Sequence, residues 1–99
     1  MKNYNDCIEA CAECVTECEK CATECLEMGH KECVKLCRDC ADICALCQRL
    51  CARGSAYCEE ICKICVKVCE ACAAECAKHN MECCNKCAAA CKKCAAACA

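Results

Sequence analysis

Cysteine recurs from Cys58 to Cys76 at alternating steps of four and three residues, and this spacing limits the possible folds more than any other feature of the chain. The cysteines of this stretch are Cys58, Cys62, Cys65, Cys69, Cys72 and Cys76. Such steps place side chains on one face of an α-helix, at the core positions of a seven-residue repeat. The stretch therefore predicts a helix with one face made of thiols, where other helices place leucine, isoleucine or valine.

The same cysteine pattern occurs four times at a period of about 25 residues, which indicates an internal repeat. The first copy comprises Cys7, Cys11, Cys14, Cys18, Cys21 and Cys25. The second comprises Cys33, Cys37, Cys40, Cys44, Cys47 and Cys51. The fourth comprises Cys84, Cys87, Cys91, Cys94 and Cys98, with Cys83 beside its first member. The intervening residues are mostly Ala, Glu, Lys, Leu and Ile, which favour helix, and no segment has the pattern of a strand.

Turn-forming residues separate the four repeats. Gly29 and Gly54 suit the C-terminal caps of the first two helices, and Ser55 suits the N-cap of the third. We predict helices at about residues 5–28, 31–53, 56–79 and 81–98, within a single domain of residues 1–99. Because short turns make neighbouring helices antiparallel, the expected fold is all-α, an up-down-up-down four-helix bundle with a Cys-lined core.

Composition and charge exclude several classes of protein. The chain has 99 residues, 24 of them cysteine, and a net charge of −2. Charges of both signs are interspersed, so we expect no nucleic-acid partner and no anionic-membrane surface. No apolar run approaches the ~20 residues of a membrane span, and the polar N-terminus does not resemble a signal peptide. We therefore expect a cytoplasmic protein, in a compartment that keeps thiols reduced.

The larger apolar residues fall beside the cysteine stripes, where they are expected to seal the seams between helices. They are Ile8, Val15, Val34, Leu36, Ile43, Leu50, Ile61, Val66 and Val68. Leu46 and Ile64 are expected to point outward, where they would suit an oligomer contact.

A core made of thiols requires a ligand to explain it. Cysteine in place of leucine gives up apolar burial on the order of 1 kcal/mol per site. A disulfide framework is a poor explanation, because cysteines three or four residues apart on one helix point in similar directions. Thiolates bind Cu(I), Zn(II) and iron–sulfur clusters, but zinc prefers closed four-ligand sites and clusters prefer cysteines on loops. A continuous column of thiols suits a chain of Cu(I) ions, so we expect all 24 cysteines to be metal ligands.

Four segments of the sequence resemble the cytosolic branch of the four-helix-bundle copper storage proteins. They are Glu9–Cys11, Cys40–Cys47, Glu60–Cys62 and Cys69–His79. The resemblance covers essentially the whole chain. It implies storage of many Cu(I) ions, which protects the cell from free copper and supplies it, together with a homotetrameric assembly and cytosolic residence. This chain fills more of the stripe positions with cysteine than members of that family do.

The two ends of the predicted bundle differ in their side chains. At one end, the residues that continue the stripes or lie in the adjacent turn are Met28, His30, His79, Asn80 and Met81. Thioether, imidazole and amide oxygen bind copper more weakly than thiolate does. We therefore predict that this end is a mouth through which copper enters, and the resemblance to the family includes His79 there. Tyr4 and Tyr57 are at the opposite end, where an aromatic ring would plug the core.

Other functions compete with copper storage. A metallothionein-like buffer for Zn(II) or Cd(II) and an engineered Cys-rich bundle are both compatible with the cysteine pattern. A thiol peroxidase needs one activated thiolate beside a base or a helix N-terminus. No cysteine is distinguished from the others in that way, so we expect no enzymatic activity.

Overall fold

The computed structural model describes residues 3–99, and these residues form four α-helices without a strand. Helix α1 spans Asn5–Glu27, α2 spans Lys31–Ala52, α3 spans Cys58–Cys76 and α4 spans Glu82–Cys98. Each helix packs on two others in the closed order α1, α2, α3, α4, in a body of 43 × 17 × 17 Å. The predicted all-α four-helix bundle is confirmed. None of the described helices is long and apolar enough to cross a membrane.

Helices α1 and α2 are each followed, two residues beyond their last residue, by a glycine with a left-handed backbone. The φ angles are +74° at Gly29 and +64° at Gly54. The backbone N–H of the residue after each glycine donates a hydrogen bond to a carbonyl in the last turn of the preceding helix. His30 N–H bonds to the Cys25 carbonyl and Ser55 N–H to the Leu50 carbonyl, both at 3.0 Å. This is the Schellman helix end, and the predicted glycine caps are confirmed.

Helix α3 is shorter than its predicted span at both ends. It begins at Cys58, because the Ser55 hydroxyl oxygen accepts a hydrogen bond from Tyr57 N–H at 3.1 Å and holds the preceding residues in a turn. Ser55 therefore precedes the helix by a turn, and the prediction that it is the N-cap is wrong. At the other end, His79 N–H bonds to the Cys76 carbonyl at 3.1 Å, a tighter turn that ends the helix before His79.

The core consists almost entirely of cysteine and alanine. Every cysteine except Cys83 is buried, and no polar or charged side chain of the described residues is buried with them. The predicted seam residues surround this core, Ile61 fully buried and the other eight partly buried against it. Leu46 and Ile64 lie outside and are exposed, as expected. The seams thus provide the larger apolar contacts, while the interior holds the thiols.

Candidate metal centre

The buried sulfur atoms form a continuous column along the bundle axis. Neighbouring Sγ atoms are 3.8 Å apart within α1, from Cys14 to Cys18, and 3.6 Å apart across the core, from Cys18 to Cys87. The same spacing recurs along the other helices, where Cys40 is 3.7 Å from Cys69. A zinc–thiolate bond is about 2.3 Å long, so one ion of similar size can join two sulfurs up to about 4.6 Å apart. The observed spacings therefore allow one soft metal ion to join neighbouring thiolates.

Groups of four thiols occur repeatedly along the column, each group with its sulfurs within 4.8 Å of one another. One group takes a cysteine from each helix and comprises Cys11, Cys44, Cys65 and Cys94. The next comprises Cys14, Cys44, Cys69 and Cys94, so the two groups share Cys44 and Cys94. Separate tetrahedral zinc sites would not share ligands in this way. Overlapping groups suit a chain of ions with bridging thiolates.

Burial raises the pKa of several thiols toward the two ends of the column. It raises the pKa of Cys33 and of Cys51 to about 12, with neighbouring cysteines adding to the effect. Burial likewise raises the pKa of Cys21 and Cys84, which lie near the His30 end. Because a metal binds the thiolate, each ion that enters must displace protons. These four thiols are therefore neutral near pH 7 without metal, which is the form that an apolar interior tolerates.

The two histidines meet at one end of the column. The rings of His30 and His79 stack with their centroids 4.1 Å apart. His79 Nε2 lies 3.1 Å from a carboxylate oxygen of Glu75, whereas His30 Nδ1 is buried and has no hydrogen-bond partner among the described residues. A carboxylate only accepts, so Nε2 of His79 donates and the lone pair of that ring lies on Nδ1. Neutral His79 thus has its lone pair on Nδ1, and His30 leaves its own Nδ1 without a hydrogen-bond partner among the described residues.

The other predicted mouth residues take different positions. Met81 is partly buried against the core, but Met28 is 60% exposed and Asn80 is also exposed. Below the stacked rings, Cys33 and Cys76 are fully buried, with their sulfurs 3.7 Å apart. The structure therefore brings His30 and His79 together as a cover over the thiols and leaves Met28 and Asn80 at the surface.

The opposite end of the column is less tightly covered. Helix α4 ends at Cys98, and Cys51 there is 5% exposed. Tyr4 is partly buried against the core, and burial together with the nearby Cys58 raises the pKa of its hydroxyl. Tyr57 is exposed. Of the two tyrosines, only Tyr4 packs against the core at this end.

One pair of cysteines at this end is oxidised. Cys7 and Cys98 form a disulfide between α1 and α4, with Cα atoms 5.0 Å apart, and all other cysteines are free. The sulfurs of the pair also lie with Cys11 and Cys47 within 4.8 Å of one another. In the disulfide Cys7 and Cys98 cannot act as thiolate ligands, so the expectation that both bind metal applies only to the reduced chain.

Cys83 is the one cysteine that lies beside the column instead of within it. Its side chain is partly exposed, and its Sγ is 3.9 Å from that of Cys84. Burial, followed by the Glu24 carboxylate and Cys84, raises the pKa of the Cys83 thiol to about 12. A shift of one residue along a helix turns the side chain by about 100°, which moves Cys83 off the stripe.

Glu75 belongs to the site but was not singled out from the sequence. It lies four residues before His79, a spacing at which two side chains of a helix can meet. That spacing was the available signal. The predicted end of α3 near residue 79 did not indicate which of the surrounding groups His79 would contact.

Comparison with known proteins gives concordant results. The family model described as "Copper storage protein" matches residues 1–99. A comparison with curated proteins finds no significant match.

Three solved structures illustrate the similarity. The Cu(I)-bound copper storage protein BsCsp3 is 44% identical, with a TM-score of 0.92 over 97% of this chain and 95% of that chain. The apo form of copper storage protein 3 from Bacillus subtilis is 45% identical, with a TM-score of 0.93 over the same shares. A cytosolic copper storage protein from Streptomyces lividans with five coppers is 34% identical, with a TM-score of 0.90 over 96% of this chain and 88% of that chain.

Proposed function

The chain belongs to the copper storage protein family, and we propose that its column of thiols stores many Cu(I) ions inside the bundle. The overlap of the four-thiol groups is the observation that supports this most directly. The protein thereby protects the cell from free copper and supplies copper when it is needed. All 24 cysteines of the reduced chain are proposed ligands, with Cys83 beside the column rather than in it.

Bridging thiolates set the proposed capacity. If each ion binds about two thiolates and each thiolate bridges about two ions, the column holds about one ion per cysteine, or roughly 20 or more per chain. Each Cu(I) then replaces one thiol proton, so the loaded core stays neutral. Sulfur–sulfur distances of 3.6 to 4.0 Å along the column are compatible with this arrangement.

A Cu(I) titration of the reduced protein against a competing colorimetric chelator tests the proposal. We expect the break near one ion per cysteine, and anomalous diffraction at the copper edge should place the ions along the axis. Excess Zn(II) should fail to displace Cu(I), which separates a copper store from a buffer for Zn(II) or Cd(II). A break at roughly four ions or fewer would favour separate zinc-like sites instead.

The end with His30 and His79 is the proposed mouth. The two rings stack, His30 Nδ1 has no hydrogen-bond partner among the described residues, and Met81 at the N-cap of α4 adds a thioether. Met28 and Asn80 are exposed at the rim, where they would make the first and weakest contacts with an arriving ion. Because these ligands bind copper less tightly than thiolates do, an ion held there passes on to the buried cysteines. The mouth should therefore control the rate of uptake and not the capacity.

The mouth can be tested by stopped-flow transfer of Cu(I) from a chelator to the reduced protein. We expect His79→Ala to slow uptake more than His30→Ala does, because Glu75 orients His79 and the family motif includes it. A marked change of the uptake rate in a Tyr4→Ala variant, with the double histidine variant loading at the wild-type rate, would place the entrance at the other end.

We further propose that residues 1–99 act as one domain without enzymatic activity, resident in the cytosol and assembled as a homotetramer. Exposed Leu46 and Ile64 supply apolar surface for such an assembly. Sedimentation of wild type against a Leu46→Lys/Ile64→Lys variant tests the assembly, and a peroxide-turnover assay tests the absence of thiol peroxidase activity.

A further inference from the structure

The seam between α1 and α4 leads from the surface to the thiol column near the mouth. Cys83 Sγ is 3.9 Å from Cys84 Sγ, and Cys84 Sγ is 3.7 Å from Cys21 and 3.6 Å from Cys25. Cys84, Cys21 and Cys25 are fully buried, whereas Cys83 is the most accessible thiol of the chain. A series of sulfur contacts therefore begins in solvent and ends in the core, and it does not pass the histidines.

A groove on this seam exposes Cys83. It encloses about 490 Å³ and is lined by Glu17, Lys20, Thr23, Glu24, Glu82 and Lys86. Lower on the same seam, Lys93 Nζ lies 3.0 Å from a Glu13 carboxylate oxygen and bridges the two helices. The groove is large enough for the copper-bearing end of a small thiol complex, and its walls supply both charge signs.

We propose that Cys83 and Cys84 form a side entrance, at which a Cu(I)–thiolate complex from solution transfers its ion to the column. This inference rests on the proposed storage function. It assigns Cys83 a different role from that of the buried cysteines. Cys83 receives the ion and passes it on, and the mouth with His30 and His79 is a parallel route.

The transfer is a ligand exchange without a redox step. The Cys83 sulfur forms a bond to Cu(I) and the donor's copper–sulfur bond breaks, while the Cys83 proton goes to the departing thiolate. In the second step Cys84 bonds the ion and the bond to Cys83 breaks, while the Cys84 proton returns to Cys83. Copper stays Cu(I) throughout, so no oxidant or reductant is needed. Cys83 is a thiol again and can accept another ion.

The test measures initial uptake by fully reduced protein, with Cu(I) presented as its glutathione complex at less than one ion per chain. Cys83→Ser is compared with wild type and, separately, in a His30→Ala/His79→Ala background that removes the other proposed route. If the two routes have similar rates, Cys83→Ser should lower the initial rate about twofold alone and about tenfold in the histidine background. Thr16→Ala removes an exposed hydroxyl from α1 outside the groove, leaves every thiol in place and should load at the parent rate.

The outcomes separate this proposal from the storage function. Unchanged initial rates for Cys83→Ser in both backgrounds overturn the side entrance, even if wild type stores about one ion per cysteine. A loss of about one ion of capacity at an unchanged rate also overturns it, because Cys83 is then only a further storage ligand. Failure of wild type to bind more than a few ions overturns the storage function itself. Circular dichroism of every variant checks that the helices persist, and Cys83→Ala provides a second substitution at the same site.

Discussion

Glu75 orients His79 without lining the thiol column. The His79 ring makes the largest contribution to lowering the pKa of the Glu75 carboxyl, and Lys78 adds to it. The carboxylate is therefore ionised at neutral pH and accepts the ring N–H, which fixes the tautomer that presents Nδ1. Because its pKa is lowered on folding, this contribution to stability is present at neutral pH and is lost as the pH falls through the folded pKa.

Replacing Glu75 by Gln should slow copper uptake without changing the final load. An amide both donates and accepts, so it no longer selects one tautomer of His79, and loss of such an orienting partner typically costs about tenfold. Stopped-flow transfer from a chelator gives the rate, and a separate titration gives the load. Glu70→Gln removes an exposed carboxylate from the same helix and is the matched control. Equal rates for the two variants would show that Glu75 does not orient the ring for copper.

The helix ends are set by backbone geometry at two glycines. At Gly29 and Gly54 no heavy atom would lie within 4 Å of an added Cβ, so a side chain there would meet no steric obstacle. The cost of substitution comes from the left-handed backbone alone. These turns decide where one helix stops and the next begins, and so which cysteines of neighbouring helices lie at the same height.

Gly54→Ala should destabilise the reduced, metal-free protein by about 1–2 kcal/mol, the cost of a left-handed backbone for an L-residue. Urea unfolding followed by circular dichroism measures the difference. Arg53→Ala changes the neighbouring residue, whose φ of −96° suits any L-residue, and should have little effect. An unchanged free energy of unfolding for Gly54→Ala would mean that the α2–α3 turn can adopt another conformation without loss of stability.

Most of the architecture was predictable because the four–three spacing determines which helix face is buried. This spacing indicated the column of thiols, and the glycines indicated the turns. The stacking of His30 on His79 was not predictable, since it depends on how two separate turns meet in space. The start of α3 was predicted too early, because a local hydrogen bond from Tyr57 N–H to the Ser55 side chain competes with helix formation.

For the whole molecule, we expect the apolar seams, and not the metal, to hold the four helices together. Eight apolar residues pack partly buried around the core, and the helices consist largely of residues that favour helix. We therefore expect the reduced, metal-free protein to show a helical far-UV spectrum. Cu(I) should raise the melting temperature by binding only the folded form. A coil-like spectrum for the metal-free protein would show that the helices form only when copper is bound.

The buried thiols should make the metal-free protein sensitive to alkali. Folding raises the pKa of Cys33 and Cys51 to about 12 from the ordinary 9.0, so between these values the unfolded chain has lost protons that the folded chain retains. Stability is thus full below about pH 9 and falls as the pH rises, by up to about 1.4 kcal/mol per pH unit for each such thiol.

Thermal unfolding of the reduced protein at several pH values measures this dependence. The melting temperature should decline steeply above about pH 9. The Cys33→Ser/Cys51→Ser variant should decline less steeply, because it lacks the contribution of two titrating thiols. A melting temperature that rises with pH would mean that the column holds thiolates before any metal arrives.

The bundle is 43 Å long and only 17 Å across, with one file of overlapping thiol groups inside it. Both proposed entrances are at the same end of the column, so we expect copper ions to enter and to leave at that end. We expect the first ions to move toward Cys11 and Cys47 and later ions to occupy the positions near Cys33 and Cys84. Release should begin with the ions that arrived last. We therefore expect the ions near Cys11 and Cys47 to exchange more slowly than the ions near the two proposed entrances.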